Sequence, residues 1–334
     1  MNFQRSCEVV GLQAHLKDVA GLEFRYHSSM RATVRINKDY PDDQKASDAS
    51  SVLCVGITSR ELNDSECVAE IHDSISNSVD GRWANFGGVK QERMPFIYSQ
   101  IDPVFKALGD LMEATITVLR WRSGLTEGLT NPFLNRREFL STDGESWFEV
   151  HTVRGLKIVM LHPPRQIPLS LESEVAQLVS ATREEPLGHQ LFREAWNEKK
   201  LHPRSALVIG VAAAEVGLKN LIGTLVPQAR WLVDEVQTPS IDNMLRKYLP
   251  TLPIKAKFHG KTINLPSELC KVLASAFQWR NKVVHAGKTP PSEEELELML
   301  RAIEDFLWIC DVYSGSQWAG QFISSETLAA WKNE

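Results

Sequence analysis

The sequence predicts an α+β protein: an N-terminal mixed α/β domain followed by a C-terminal all-α helical bundle. Three observations predict it. The 334 residues exceed the usual size of one domain. Residues 1–165 carry short strand-like stretches around one amphipathic helix. Beyond a proline-containing passage, His162–Pro168, the apolar residues recur at helical spacing and continue to do so.

In the first domain, strands are expected at Cys7–Leu12, Glu23–Ile36, Val52–Ile57, Trp147–Val153 and Leu156–Leu161, the last two joined through a hairpin at Arg154-Gly155. Val104, Leu108, Leu111, Met112, Ile116 and Leu119 recur every three or four residues, which predicts a helix over Ile101–Trp121. Asp39–Ser51, with Pro41, four Asp and three Ser, reads as a polar loop. Asp143-Gly144 reads as a turn; in Arg120-Trp121-Arg122 and Arg136-Arg137 the arginines read as solvated and the tryptophan as core, with a ligand or partner surface as the alternative.

Residues 166–185 read as a helical linker, 186–315 as the bundle and 316–334 as a C-terminal extension. Helices are expected over 171–182, 187–200, 203–224, 240–248, 266–286 and 292–314. Pro203 suits a first helical turn, because its missing N–H would have no partner there. Ser292 and Glu295 form a capping box, Gly287 is a helix stop, and Pro290-Pro291 prevents continuation.

Composition narrows the function. The chain is 43% hydrophobic and 24% charged, with formal net charge −5. Counted from the sequence, residues 1–185 hold 20 Lys/Arg against 26 Asp/Glu, and residues 186–334 hold 17 against 16. A surface coated in positive potential is therefore excluded, and any nucleic acid must be held by a local site. The five cysteines are odd in number and scattered, which predicts reduced thiols and a cytoplasmic location. The first eight residues lack an apolar leader stretch, and the most apolar run, Ala206–Leu218, is broken by Glu215, so no membrane span is expected. The histidines lack metal-ligand spacing and no phosphate-binding glycine loop appears, so neither cofactor nor metal is expected.

Arg280-Asn281-Lys282-Val283-Val284-His285 is the most informative run. An Arg followed four to six positions later by His arises about once or twice by chance in a chain of this composition. Arg183 and His189 form a second such pair. Context separates them. Arg280 interrupts an apolar row of Leu269, Leu273, Ala276 and Val284, and Glu215 interrupts the apolar run Val211–Leu218. A lone charge in such a row is costly unless paired, which predicts that Glu215 and Arg280 meet, with Lys219 a competing partner for Glu215. Two readings of that pair stand side by side: a structural ion pair with His285 as a helix-end cation, or the edge of a catalytic site.

The run Leu191–Ile222, followed by Arg280-Asn281-x-x-x-His285, resembles HEPN (higher eukaryotes and prokaryotes nucleotide-binding) domains over about 130 residues. The resemblance implies a HEPN-like helical bundle that dimerises and a metal-independent endoribonuclease, of the kind found in bacterial toxin and antiphage systems. Arg280, Asn281 and His285 match the family's motif residue by residue, with Glu215 in support. The chemistry suits these side chains. An imidazole can take the proton of the RNA 2′-hydroxyl or protonate the leaving 5′-oxygen, and a guanidinium can hold the phosphate, giving a 2′,3′-cyclic phosphate. Arg280 and His285 lie about 140° apart around a regular helix, so a site needing both is easier to assemble from two copies. Lys255, Lys257, Lys261 and Lys282 are candidate RNA-guiding cations, although a solvated loop is the simpler reading of the first three. The expected partners are RNA, a second copy of the chain, and a regulatory protein or trigger bound by the first domain. The alternative is a HEPN module without catalysis that dimerises or binds nucleotide or protein.

Overall fold

The computed structural model describes residues 1–10, 21–27, 30–37, 51–62, 64–77, 84, 89–90, 92–125, 133–153, 171–181, 183–235, 240–256 and 264–332. The fold is α+β and divides into two compact units. One comprises Met1–Ser123 with Asn131–Glu184, the other Glu185–Glu334 with Gly124–Thr130.

The first unit is built on β1 (Asn2–Val10), β2 (Gly21–His27), β3 (Arg31–Asn37), β4 (Ser51–Ser59), α1 (Ser65–Ser76), α2 (Met94–Arg122), β5 (Phe133–Ser141), β6 (Phe148–Val153) and α3 (Leu171–Ser180). The strands form one six-stranded antiparallel sheet in the order β2-β3-β4-β1-β5-β6. Alternation places Leu22, Phe24 and Tyr26 of β2 and Ala32, Val34 and Ile36 of β3 on the buried face. Against that face lies α2, whose inward row includes Leu108, Met112 and Ile116. The approach is close: a Cβ at Gly56 of β4 would lie 2.8 Å from Met112 Sδ. Tyr26 Oη and Thr115 Oγ1 share a buried hydrogen bond of 2.7 Å. Phe3, Ile71, Ile97, Ile101, Phe105 and Leu140 close the core beside α1.

Several expectations need correcting. Glu23–Ile36 is two strands, not one. The helix expected to begin at Ile101 starts at Met94; Pro95 occupies its first turn and Pro103 is inside it. α1 and β5 were not expected. The helix read as a linker, α3, packs on α2 and β2, and its Glu174 receives 2.6 Å and 2.9 Å hydrogen bonds from Arg122. Arg120 and Arg122, read as solvated, are buried. The expected strand Leu156–Leu161, the Arg154-Gly155 hairpin and most of the Asp39–Ser51 loop lie outside the described residues.

The second unit contains α4 (Leu187–Glu198), α5 (Pro203–Leu225), α6 (Arg230–Glu235), a short turn α7 (Ile241–Asn243) that widens into a π-turn at Met244–Tyr248, α8 (Ser267–Ala286), α9 (Glu293–Tyr313) and α10 (Ser325–Lys332). α4, α5, α8 and α9 pack on one another. The small residues of α5 explain how closely. A Cβ at Gly217 would fall 2.4 Å from Leu307 Cδ2 of α9, and one at Gly188 of α4 would fall 2.9 Å from the same atom. Leu307 thus wedges between two glycines on different helices. α5 is long and apolar enough to cross a membrane, with mean hydropathy 1.6 over its best window, yet Leu207, Val211, Leu218 and Leu221 are packed inside this unit.

The local signals hold. Glu295 N–H donates to Ser292 Oγ at 3.2 Å, and Ser292 N–H donates to Glu295 Oε2 at 3.0 Å, completing the capping box. Gly287 takes φ 61° and ends α8, with Lys288 N–H reaching the Lys282 carbonyl at 3.3 Å. The expected C-terminal extension is part of the unit. Asp305 accepts from Ser324 N–H at 2.8 Å and from the Ser324 and Thr327 hydroxyls at 2.6 Å each, fixing the start of α10. Trp331 is buried, with its indole N–H on the Asn264 carbonyl at 2.9 Å.

Candidate functional site

The two charges that break apolar helical rows do meet. Arg280 Nη2 of α8 donates to Glu215 Oε1 of α5 at 2.6 Å, with the side chains 26% and 32% exposed. The pair therefore sits at the rim of the helix–helix contact, neither entombed nor fully solvated. Glu215 takes its hydrogen bond from Arg280 and not from Lys219. The Arg280 guanidinium also lies 6.0 Å from the centre of the Phe277 ring. One carboxylate engages only part of a five-donor fork, so this geometry holds the guanidinium in place with donors to spare.

Asn281 and His285 are exposed, one turn apart on α8. His285 lies in the last turn, where the helix dipole favours a cation. Lys282 is exposed, its Nζ 5.1 Å from the centre of the Trp279 ring. The inward row differs from expectation by one residue: Val283 is buried, whereas Val284 is 50% exposed. Val284 therefore joins Asn281 and His285 on the outer side, while Arg280 turns toward α5. Arg280 and His285 stand about 140° apart around a regular helix such as α8, so they leave it in different directions.

Lys255 is exposed, and its backbone N–H donates to the Tyr313 carbonyl at 2.9 Å. Lys257 and Lys261 lie outside the described residues.

The competing histidine has a different setting. His189 is buried; its Nε2 lies 2.9 Å from Asp311 Oδ2 and its ring centre 4.2 Å from that of Trp308. Beside them a cavity of only about 20 Å³ is lined by Gly188, Asn220 and Leu307 among others, too small to admit a nucleotide. Nearby, Arg193 and Glu185 form a buried ion pair. This cluster was not anticipated. Its signal was present as Arg193 between Phe192 and Trp196, and as Asp311 within the apolar run of α9. Among the described residues all five cysteines are free and buried, and Cys7 and Cys54, far apart in sequence, are direct neighbours across β1 and β4. A hydrogen bond with the adjacent Cys7 thiol, together with burial, pushes the Cys54 thiol pKa well up.

Comparison with protein families, curated proteins and solved structures gives no match for this chain.

Proposed function

We propose that the helical unit is a HEPN-type endoribonuclease module. In this reading Arg280, positioned by Glu215, holds the scissile phosphate. Asn281 orients it, and His285 moves the proton between the 2′-hydroxyl and the leaving 5′-oxygen, to leave a 2′,3′-cyclic phosphate without a metal. A second copy of the chain brings its own α8 alongside, so that the Arg280 of one and the His285 of the other address one phosphodiester. Lys255 and Lys282, with Lys257 and Lys261, track the RNA backbone. The setting is that of a cytoplasmic toxin or antiphage effector, with the sheet unit receiving the trigger.

The observation that supports this most directly is the anchored guanidinium at the rim of α5 and α8, on the same helix as an exposed Asn–His pair. Labelled RNA incubated with purified protein in EDTA tests it. Wild type is expected to give cyclic-phosphate ends, and His285→Ala, folded to the same circular dichroism spectrum, none. Activity that survives His285→Ala, or a strictly monomeric wild-type nuclease, overturns it.

A non-catalytic HEPN binding or dimerising module is the second reading. It is favoured by the Arg280–Glu215 pair itself, which satisfies the guanidinium within one chain. Failure of the wild type to cut any RNA, together with dimerisation through α8, selects it.

A further inference from the structure

We propose that the free edge of β2 is a docking site for an extended acidic peptide of a partner protein, which adds to the sheet as a further strand. β2 is the terminal strand of the sheet, so among the described residues one side of its backbone has no neighbouring strand. Which groups face that side follows from one hydrogen bond. Glu23 N–H points away from β3 and donates to Glu172 Oε1 of α3 at 2.8 Å. The β2–β3 register runs without a break from Gly21↔Asn37 to His27↔Arg31, so residues two apart point the same way. The N–H and C=O groups of Arg25 and His27 therefore face outward, and no described residue meets them there.

An accessible groove lies along this edge. It has a volume of about 690 Å³ and runs between β2 and α3, lined by Arg25 and His27 on one side and Ala176, Gln177 and Ser180 on the other. α3 meets the edge at Glu23, through Glu172. A strand placed one inter-strand spacing from β2, about 4.8 Å, meets two consecutive outward residues. These supply the ladder that strand addition uses for affinity.

Charge selects the partner. On the outer face of β2 and its neighbour β3 stand Arg25, His27, Arg31 and Arg35, with Glu23 the lone acid of the two strands. Glu23 is bridged by Arg25 at 2.6 Å and Arg35 at 2.7 Å, yet Arg25 remains 72% exposed and Arg35 48% exposed. An incoming strand with acidic side chains on its outer face, beside Arg25 and Arg35, and small ones toward α3, where Ala176 and Ser180 line the groove, complements this edge. The edge would give the sheet unit a ligand class of its own, independent of what the helical unit does.

The probe is an acetylated, amidated peptide of alternating Val and Glu, seven residues long, offered to the full-length protein. It is compared with its Val/Lys counterpart and with a version N-methylated at alternate amides. Binding is read by calorimetry, and protection of the Arg25 and His27 amides by hydrogen exchange. Protection of both amides by Val/Glu is expected, with binding about tenfold weaker for the N-methylated peptide and for Val/Lys. Arg25→Pro removes an outward N–H that the native sheet does not use, a substitution edge strands tolerate, and should weaken binding by about tenfold with the fold intact. Arg25→Glu keeps the N–H and should reverse the preference between Val/Glu and Val/Lys. Several results overturn the proposal: Arg25→Pro binding as wild type does, equal binding of both peptide charges, or no protection at about 1 mM peptide. So do protection by single-stranded RNA in place of peptide, and concentration-dependent protection without any peptide, which would assign the edge to a second copy.

Discussion

Removing the Glu215 charge tests whether the Arg280 guanidinium is held where the proposed chemistry needs it. Two unit charges about 4 Å apart attract by about 4 kcal/mol at an effective dielectric of about 20, and desolvation takes back most of that. Fully exposed pairs retain about 0.2–1 kcal/mol, while hydrogen bonds to charged groups reach about 1.5–3 kcal/mol. Side chains that are 26% and 32% exposed, joined at 2.6 Å, belong between these limits. A coupling of about 1–1.5 kcal/mol is therefore expected from a cycle of Glu215→Gln, Arg280→Met and the double variant, measured by urea unfolding. The coupling should shrink in about 1 M NaCl, where the Debye length is about 3 Å, because the pair is open to solvent on one side. A coupling below about 0.3 kcal/mol, or one indifferent to salt, would show that Glu215 does not position the guanidinium and would remove the basis for its role in phosphate binding.

Other consequences can be checked separately. Gly217→Ala should cost about 1–3 kcal/mol in urea unfolding, because its Cβ would lie 2.4 Å from Leu307 Cδ2, and the penalty should fall sharply in a Leu307→Ala background. Asp305→Ala removes the acceptor of three hydrogen bonds, so α10 should detach and limited proteolysis should trim the chain after Ser324 while α9 stays intact. Burial pushes the Tyr26 phenol up to about 12, against an ordinary value of 10.0. The folded sheet thus holds a proton that the unfolded chain has lost, so the contribution of Tyr26 to the stability of this unit should be constant below pH 10 and decline from there toward about 12, and Tyr26→Phe should make the alkaline loss of stability shallower over that window. Hydrogen bonds from Lys199 and Arg301 hold the Glu297 carboxyl below its ordinary 4.5. That contribution is present above 4.5 and lost as acid titrates the folded carboxylate, so Glu297→Gln should weaken the acid dependence of helical-unit unfolding.

What the sequence made legible follows the range of the interactions involved. Ser292 with Glu295, Pro203 and Gly287 act within one helical turn, so their roles could be read from neighbours along the chain. The Glu215–Arg280 pair spans 65 residues, yet each charge announced itself by interrupting an apolar row. β5 gave no such signal: Arg136-Arg137-Glu138 obscures any alternation, because Arg137 is satisfied by Glu149 of the next strand at 2.5 Å and 2.9 Å. α1 is short, and only Cys67, Ile71, Ser74 and Ile75 of it are buried, too narrow an apolar stripe to stand out. Val283 and Val284 are chemically identical neighbours, and only the packing of α8 decides which one faces inward. The His189–Asp311 contact and the β2 edge depend on elements brought together by the fold, which no local pattern encodes.

The five sequestered thiols divide usefully. Cys7, Cys54 and Cys67 belong to the sheet unit, Cys270 and Cys310 to the helical one. Since each must be uncovered before an alkylating reagent can reach it, mass-resolved labelling reports the opening of each half from a single unmodified sample. A trigger that loosens one half and spares the other would therefore leave its signature in which cysteines acquire mass.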